Sequence, residues 1–172
     1  NKTIHVPQYR LPVAFEKSIS EEIEKLAKLK VIVPVEDNQG WNTPLGGVRK
    51  PDGSVRLVLN FKVTLNKILV RDDNFSIPDM EVQSRVPPGN VFFMSLDVSK
   101  GYWNIRVREQ DQIKLSIWWE NRNWKFTRLP FGLKNAGNIF CRAIASALER
   151  MKYRTNVRVF IDDLLVFAPT FE

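Results

Sequence analysis

The sequence predicts an α+β fold. Three observations lead there: apolar strands arranged in pairs around tight-turn residues, two longer segments whose apolar residues recur at helical spacing, and a 44% hydrophobic content over 172 residues, enough for a sizeable core. Residues 1–15 carry Pro7, Tyr9 and Pro12 without a sustained period and predict an extended arm laid over a neighbour. A helix is expected to begin near Ser18, which forms a capping box with Glu21, while Ile19, Ile23 and Leu26 supply its apolar stripe. Pro34 is expected to end it, because proline disfavours helical geometry in its predecessor. Residues 45–60 read as a hairpin turning at Pro51-Asp52-Gly53, with Arg49, Lys50 and Arg56 making its tip basic. The stretch 66–90 reads as a connector, with a short helix over 79–85.

Residues 91–98 alternate as a strand, which puts Asp97 at its end on the side of Ser95. A short strand is expected at 105–107, and a hairpin from 113–119 and 124–129 around Asn121-Arg122-Asn123, its Trp118, Trp119 and Trp124 read as packing residues. Phe140, Ile144, Ala147, Leu148 and Met151 form the stripe of a second helix over 138–151. Two apolar arms, 157–161 and 164–167, leave Asp162 and Asp163 in the turn of a last hairpin.

One cysteine, Cys141, and one histidine, His5, exclude an intramolecular disulfide and a zinc finger, and leave little for a Ser-His-Asp or Cys-His site. No apolar run approaches the roughly 18 residues of a membrane span, so no membrane partner is expected and a cytoplasmic, reducing setting is the default. The net charge of +7 concentrates in the last third, around Arg142, Arg150, Lys152, Arg154 and Arg158. Such a surplus reads either as a solvated face or as a surface for a polyanion.

Asp162 and Asp163, flanked on both sides by apolar strand, are the least expected feature. A pair standing alone reads as an Asx-rich turn. Asp97 also ends an apolar strand, however, and the intervening elements suffice to bring that strand beside the hairpin. Three clustered carboxylates repel one another unless divalent cations offset the charge, and hard oxygen ligands favour magnesium or manganese over zinc. Two ions held about 3.5–4 Å apart would stabilise both oxygens of an in-line phosphoryl displacement, as in nucleotidyl transfer or a nuclease. Lys50 and Arg56 would then serve triphosphate charge, which a polymerase needs and a nuclease does not.

Phe160-Ile161-Asp162-Asp163 resembles the Tyr-x-Asp-Asp box of reverse transcriptases. Ser95-Leu96-Asp97 through Gly101-Tyr102 is similar to their first catalytic motif, and Leu129-Pro130-Phe131-Gly132-Leu133 with Asn135-Ala136 and Phe140 to their nucleotide-pocket loop and helix. Arg56-Leu57-Val58-Leu59-Asn60-Phe61-Lys62 and Leu65-Asn66-Lys67 resemble the fingers strand. The set occurs in family order, nearest to the gypsy-type branch of LTR retrotransposons and to retroviral pol polyproteins.

The resemblance implies fingers and a partial palm whose antiparallel sheet is backed by helices, with the thumb absent because the chain stops nine residues after Asp163. Residues 1–80 and 105–134 would be fingers, 81–104 and 135–172 palm. Asp97 and Asp162 would ligate two magnesium or manganese ions with the Val98 backbone at the same metal site, Asp163 would support them, and Val98 would also offer its backbone to the triphosphate. Tyr102 would exclude a 2′-hydroxyl. Lys50 and Arg56 would grip the triphosphate, Phe131 and Gly132 would border the nucleotide, and Phe160, Lys134 and Arg142 would meet template or primer. The implied partners are dNTPs and an RNA or DNA template with its primer, with the oligomeric state undetermined. Phe160 replaces the usual tyrosine, Asn60 and Lys62 the usual aspartate and arginine, and Gly137 a common proline; none of these removes a metal ligand. The alternative from another class is a non-catalytic nucleic-acid-binding or interaction domain derived from a retroelement, and a two-metal nuclease is a third.

Overall fold

The computed structural model describes residues 3–72, 85–98, 101–152, 154–160 and 163–171. The chain divides into two compact units, the first Asn1–Val70 with Tyr102–Lys134 and the second Arg71–Gly101 with Asn135–Glu172.

In the first unit, residues 3–12 form the expected extended arm. His5 makes an isolated parallel bridge to Asn42, and the Gln8 carboxamide behaves like an extra strand residue: its Nε2 donates to Leu45 O (2.8 Å) and its Oε1 accepts from Leu45 N–H (2.8 Å). Helix α1, Val13–Lys28, begins five residues before the expected capping box. Pro12 is its N-cap, with φ −57°, and no side chain caps it. Proline's fixed φ suits a helix start, and Phe15 extends the apolar stripe backward to join Ile19, Ile23 and Leu26. Each of the last three is at most 3% exposed, and burial of that kind contributes about 1.5–3 kcal/mol per side chain.

Lys30, not Pro34, ends the excursion from α1. It takes φ 54°, with its N–H bonded to Ala27 O and that of Val31 to Leu26 O. The chain then forms a strand that the sequence reading lacked, β1, Ile32–Val35, which contains Pro34. Proline is tolerated there because β1 is an edge strand of its antiparallel sheet, pairing on one side only, with residues 123–126.

Strands β2, Leu45–Arg49, and β3, Val55–Leu59, form the expected hairpin. Gly53 supplies φ 83° in its turn, and Asp52 Oδ1 accepts from both the N–H and the hydroxyl of Ser54. Those bonds hold the Asp52 carboxyl below its ordinary value, with a smaller contribution from Lys50. Gly47 has a packing reason to be glycine: a Cβ there would lie 2.7 Å from Val55 Cγ1 and 3.0 Å from Phe15 Cδ2, so its absence lets α1 settle on the hairpin.

The expected strand at 105–107 is only a bridge, Arg106 to Arg128. After the short helix α2, Glu109–Gln112, a 3-10 turn precedes β5, Ser116–Trp119, which pairs with β6, Arg122–Phe126. The turn between them is Glu120 and Asn121 alone, at φ 48° and 58°, the paired left-handed geometry of a two-residue hairpin. Arg122 and Asn123 therefore belong to the strand. Trp119 is buried as expected, its Nε1 donating to Ser20 Oγ (3.0 Å), whereas Trp118 is exposed.

In the second unit, β4, Phe92–Asp97, β7, Val157–Phe160, and β8, Asp163–Ala168, form an antiparallel sheet in the order β4-β8-β7. Helix α3, Ala136–Leu148, buries Phe140 and Cys141. The helix expected over 79–85 falls, apart from Arg85, outside the described residues. Among the described residues no helix is long and apolar enough to cross a membrane.

Candidate nucleotidyl-transfer site

The second unit carries the carboxylates. In the antiparallel register of β4 and β8, Asp97 lies directly opposite Asp163, as Ser95 does Leu165 and Phe93 does Phe167. Paired residues in such a ladder share a face, so both carboxylates stand at one end of one face, and both are exposed. Asp163 also pairs with Phe160, so it opens β8 instead of lying in the turn as the sequence suggested. The apolar run of 164–167 simply extends one residue further back as strand. Asp162 and the Phe160 side chain lie outside the described residues.

Gly101 is held close to Val98 and against α3. Val98 O accepts the N–H of Gly101 (3.0 Å). A Cβ on Gly101 would stand 2.5 Å from Phe140 Cζ, so the bare glycine lets α3 press its ring against the residue four places after Asp97. The start of α3 is tied to Asp72: Asn138 Nδ2 donates to Asp72 O (2.6 Å), Asn135 Oδ1 accepts from Asp72 N–H (3.2 Å), and Arg142 forms an ion pair with the Asp72 carboxylate. Arg142, expected to meet nucleic acid, thus also anchors its own helix.

Among the described residues no three His, Cys, Asp or Glu side chains cluster closely enough to hold a metal ion. What the described part of the face offers is a facing pair of exposed hard oxygen donors. Like charges directly opposite each other on a sheet are destabilising, and a divalent cation is the group that would reverse that sign. The donor set fits magnesium or manganese.

The first unit carries a cavity of about 580 Å³, within the roughly 300–1,000 Å³ range of small-molecule sites. The β2–β3 hairpin contributes Val48, Lys50, Val55, Arg56, Leu57, Val58 and Leu59; α1 contributes Glu22, Lys25 and Leu26; Trp103, Phe126, Pro130, Phe131 and Gly132 complete it. Phe131 joins this lining to Tyr102, which does not itself line the cavity. Its ring centroid is 4.7 Å from that of Tyr102 and 5.9 Å from that of Trp103, and the Arg56 guanidinium stands 5.7 Å from it. Lys50, Arg56, Tyr102, Phe131 and Gly132, chosen from sequence, are therefore gathered in one unit. Lys134 donates its Nζ to Leu69 O (2.9 Å). Trp103 was missed, although it directly follows Tyr102; Asn66, which bonds Gly132 O, was noted only as part of a motif.

Residues 48–172 match the reverse transcriptase (RNA-dependent DNA polymerase) family, and the chain belongs to it. It is 32% identical over 98% of its length to the retrovirus-related Pol polyprotein from transposon opus of Drosophila melanogaster, and 28% identical over 98% to that from transposon gypsy of the same organism. To the Gag-Pol polyprotein of gibbon ape leukemia virus it is 29% identical, again over 98% of the chain. The chain spans 17%, 16% and 10% of those three polyproteins. Among solved structures, it superposes on the foamy viral protease–reverse transcriptase in complex with double-stranded DNA with a TM-score of 0.81, at 25% identity, covering 96% of this chain and 28% of that one. The α+β fold is accordingly that of a reverse transcriptase fingers and palm fragment, of the gypsy-type and retrovirus-like branch.

Proposed function

We propose that this chain forms the fingers, residues 1–80 and 105–134, and the first part of the palm, residues 81–104 and 135–172, of an RNA-directed DNA polymerase. Its reaction is attack by a primer 3′-hydroxyl on the α-phosphate of a dNTP, releasing pyrophosphate, on an RNA or DNA template. The observation that carries the reading is the register setting the exposed Asp97 opposite the exposed Asp163 at one end of one sheet face, in a chain where Asp162 immediately precedes Asp163. Asp97 and Asp162 would hold two divalent cations, with Asp163 in support and the Val98 backbone beside the triphosphate. The cations, when bound, supply positive charge to the attacking and leaving oxygens of the displacement.

The remaining residues bind and select. Lys50 and Arg56 hold the triphosphate, and the hairpin that carries them, tied at its tip by Asp52 and Ser54, gives those cations a defined base. Tyr102, packed on Phe131, walls the sugar and rejects a 2′-hydroxyl. Gly132, at φ 93°, turns the chain behind Phe131 at the nucleotide's border. Arg142, Lys134 and Phe160 serve template and primer, where cationic contacts to phosphate give orientation.

The test is primer extension on an RNA template with magnesium and dNTPs, in a Pol-length protein containing this chain. Extension is expected, and Asp97→Asn should abolish it while leaving the circular-dichroism spectrum intact. Extension that survives Asp97→Asn would refute the assignment. Retained duplex binding with no extension by the parent protein would favour a non-catalytic nucleic-acid-binding role.

A further inference from the structure

We propose that Asn66 is a positioning residue for the nucleotide pocket, a two-point clamp that sets the place of Phe131. This inference rests on reading that pocket as the dNTP site. Phe131 belongs to a loop between the bridge at Arg128 and helix α3, so its ring position depends on what fixes the backbone around it. Asn66 does this from a distance of 66 positions in sequence. Its Nδ2 donates to Gly132 O (2.8 Å) and its Oδ1 accepts from Lys134 N–H (2.8 Å), the donor and acceptor pairing that a neighbouring strand would supply.

The clamp is itself anchored. Asn66 is the middle residue of a 3-10 turn, Leu65–Lys67, whose Leu65 is buried and whose preceding Thr64 shares a hydrogen bond with the Thr43 hydroxyl inside the core. Behind the loop there is little slack, since a Cβ on Gly132 would lie 3.3 Å from Leu59 O. Held this way, the Phe131 ring keeps its contacts with Tyr102 and the Arg56 guanidinium. The side chain must be a carboxamide of this length. An aspartate would turn a lone pair toward Gly132 O, an alanine would leave both groups unheld, and a glutamine would place its amide one methylene too far.

The decisive experiment compares Asn66→Ala, Asn66→Asp and Phe131→Ala, singly and as Asn66→Ala/Phe131→Ala, in a Pol-length protein containing this chain. Losing both hydrogen bonds in Asn66→Ala, or replacing the one to Gly132 O by a lone-pair clash in Asn66→Asp, should raise KM for dNTP about tenfold, with kcat within about threefold. In the Phe131→Ala background the Asn66→Ala effect on KM should shrink below about twofold, because the ring it positions is gone. Hydrogen exchange provides a readout independent of turnover. Magnesium-dNTP should slow exchange over residues 130–134, and Asn66→Ala should need about tenfold more nucleotide for the same protection.

An unchanged KM in Asn66→Ala, or an equal effect with and without Phe131, overturns the clamp while leaving the polymerase reading standing. Nucleotide protection without extension in the parent protein removes the polymerase reading, and the Asn66→Ala titration then decides the clamp. A parent protein that shows neither extension nor protection overturns both.

Discussion

Replacing Gly101 by alanine tests whether the packing of α3 holds Gly101 in its place. An ideal Cβ there would stand 2.5 Å from Phe140 Cζ, 2.6 Å from Cε2 and 3.3 Å from Val98 Cγ1. Carbon atoms rest at about 3.5–4.0 Å, so the Phe140 ring would have to retreat by about 1 Å. It has little room to do so, being 2% exposed. Overpacking of this kind costs about 1–3 kcal/mol. Against it, glycine to alanine restricts the unfolded chain and stabilises by about 0.4–1 kcal/mol where the backbone permits, and Gly101 lies outside the left-handed region. The packing term wins, leaving a net loss of about 0.5–2 kcal/mol.

With a urea dependence of about 2 kcal/mol per molar, the unfolding midpoint should fall by about 0.3–1 M. Phe140→Leu, a smaller side chain whose own loss is below the about 3–5 kcal/mol of truncation to alanine, should relieve the clash, making the double variant more stable than the two single losses sum to, by about 1 kcal/mol. Urea titration of all four proteins measures this. Gly101→Ala with an unchanged or raised midpoint, or strict additivity with Phe140→Leu, would refute the idea that this contact fixes Gly101 against α3.

Other outcomes follow from the same geometry. The Thr43 and Thr64 hydroxyls are both 1% exposed and 2.9 Å apart, so changing either one to valine should cost about 1–3 kcal/mol by stranding its partner, while changing both should recover much of that; thermal unfolding of the three variants reads it. Asp52's carboxyl is lowered by its bonds from Ser54, so it contributes to hairpin stability above its unfolded value of 3.8, and that contribution is lost as pH falls below it through the folded value. Amide exchange at Ser54 should therefore speed up, after correction for intrinsic pH dependence, as acid reaches that window, and Asp52→Asn should remove the transition. Tyr102→Ala should lower discrimination against ribonucleotides by about tenfold or more, the size of a lost steric contact of about 1.4 kcal/mol, as read by the ratio of kcat/KM for dNTP and rNTP. Unchanged discrimination would remove Tyr102 from the sugar wall.

What the sequence determined by itself is what short-range chemistry encodes. Pro51-Asp52-Gly53 announced a turn because only glycine takes φ 83° without strain, and the alternation of 91–98 announced β4 because a strand's side chains alternate. The ordered motifs from Arg56 to Asp163 carried the family, since each preserves a local constellation of residue types. Local signals also misled where a longer-range partner outweighed them. Ser18 and Glu21 make a good cap, yet Phe15 gains more by packing beside Gly47, so α1 starts earlier. Pro34 looks like a breaker, yet an edge position in the sheet with β6 needs no N–H from it. The tertiary structure alone decided which residues meet. That Asp97 faces Asp163 depends on strand register between segments far apart in the chain, and a slip of one residue would turn every side chain to the other face. That Asn66 reaches Gly132, and that Phe140 fills the space Gly101 leaves, depends on packing across 66 and 39 positions, for which no periodicity or turn rule exists.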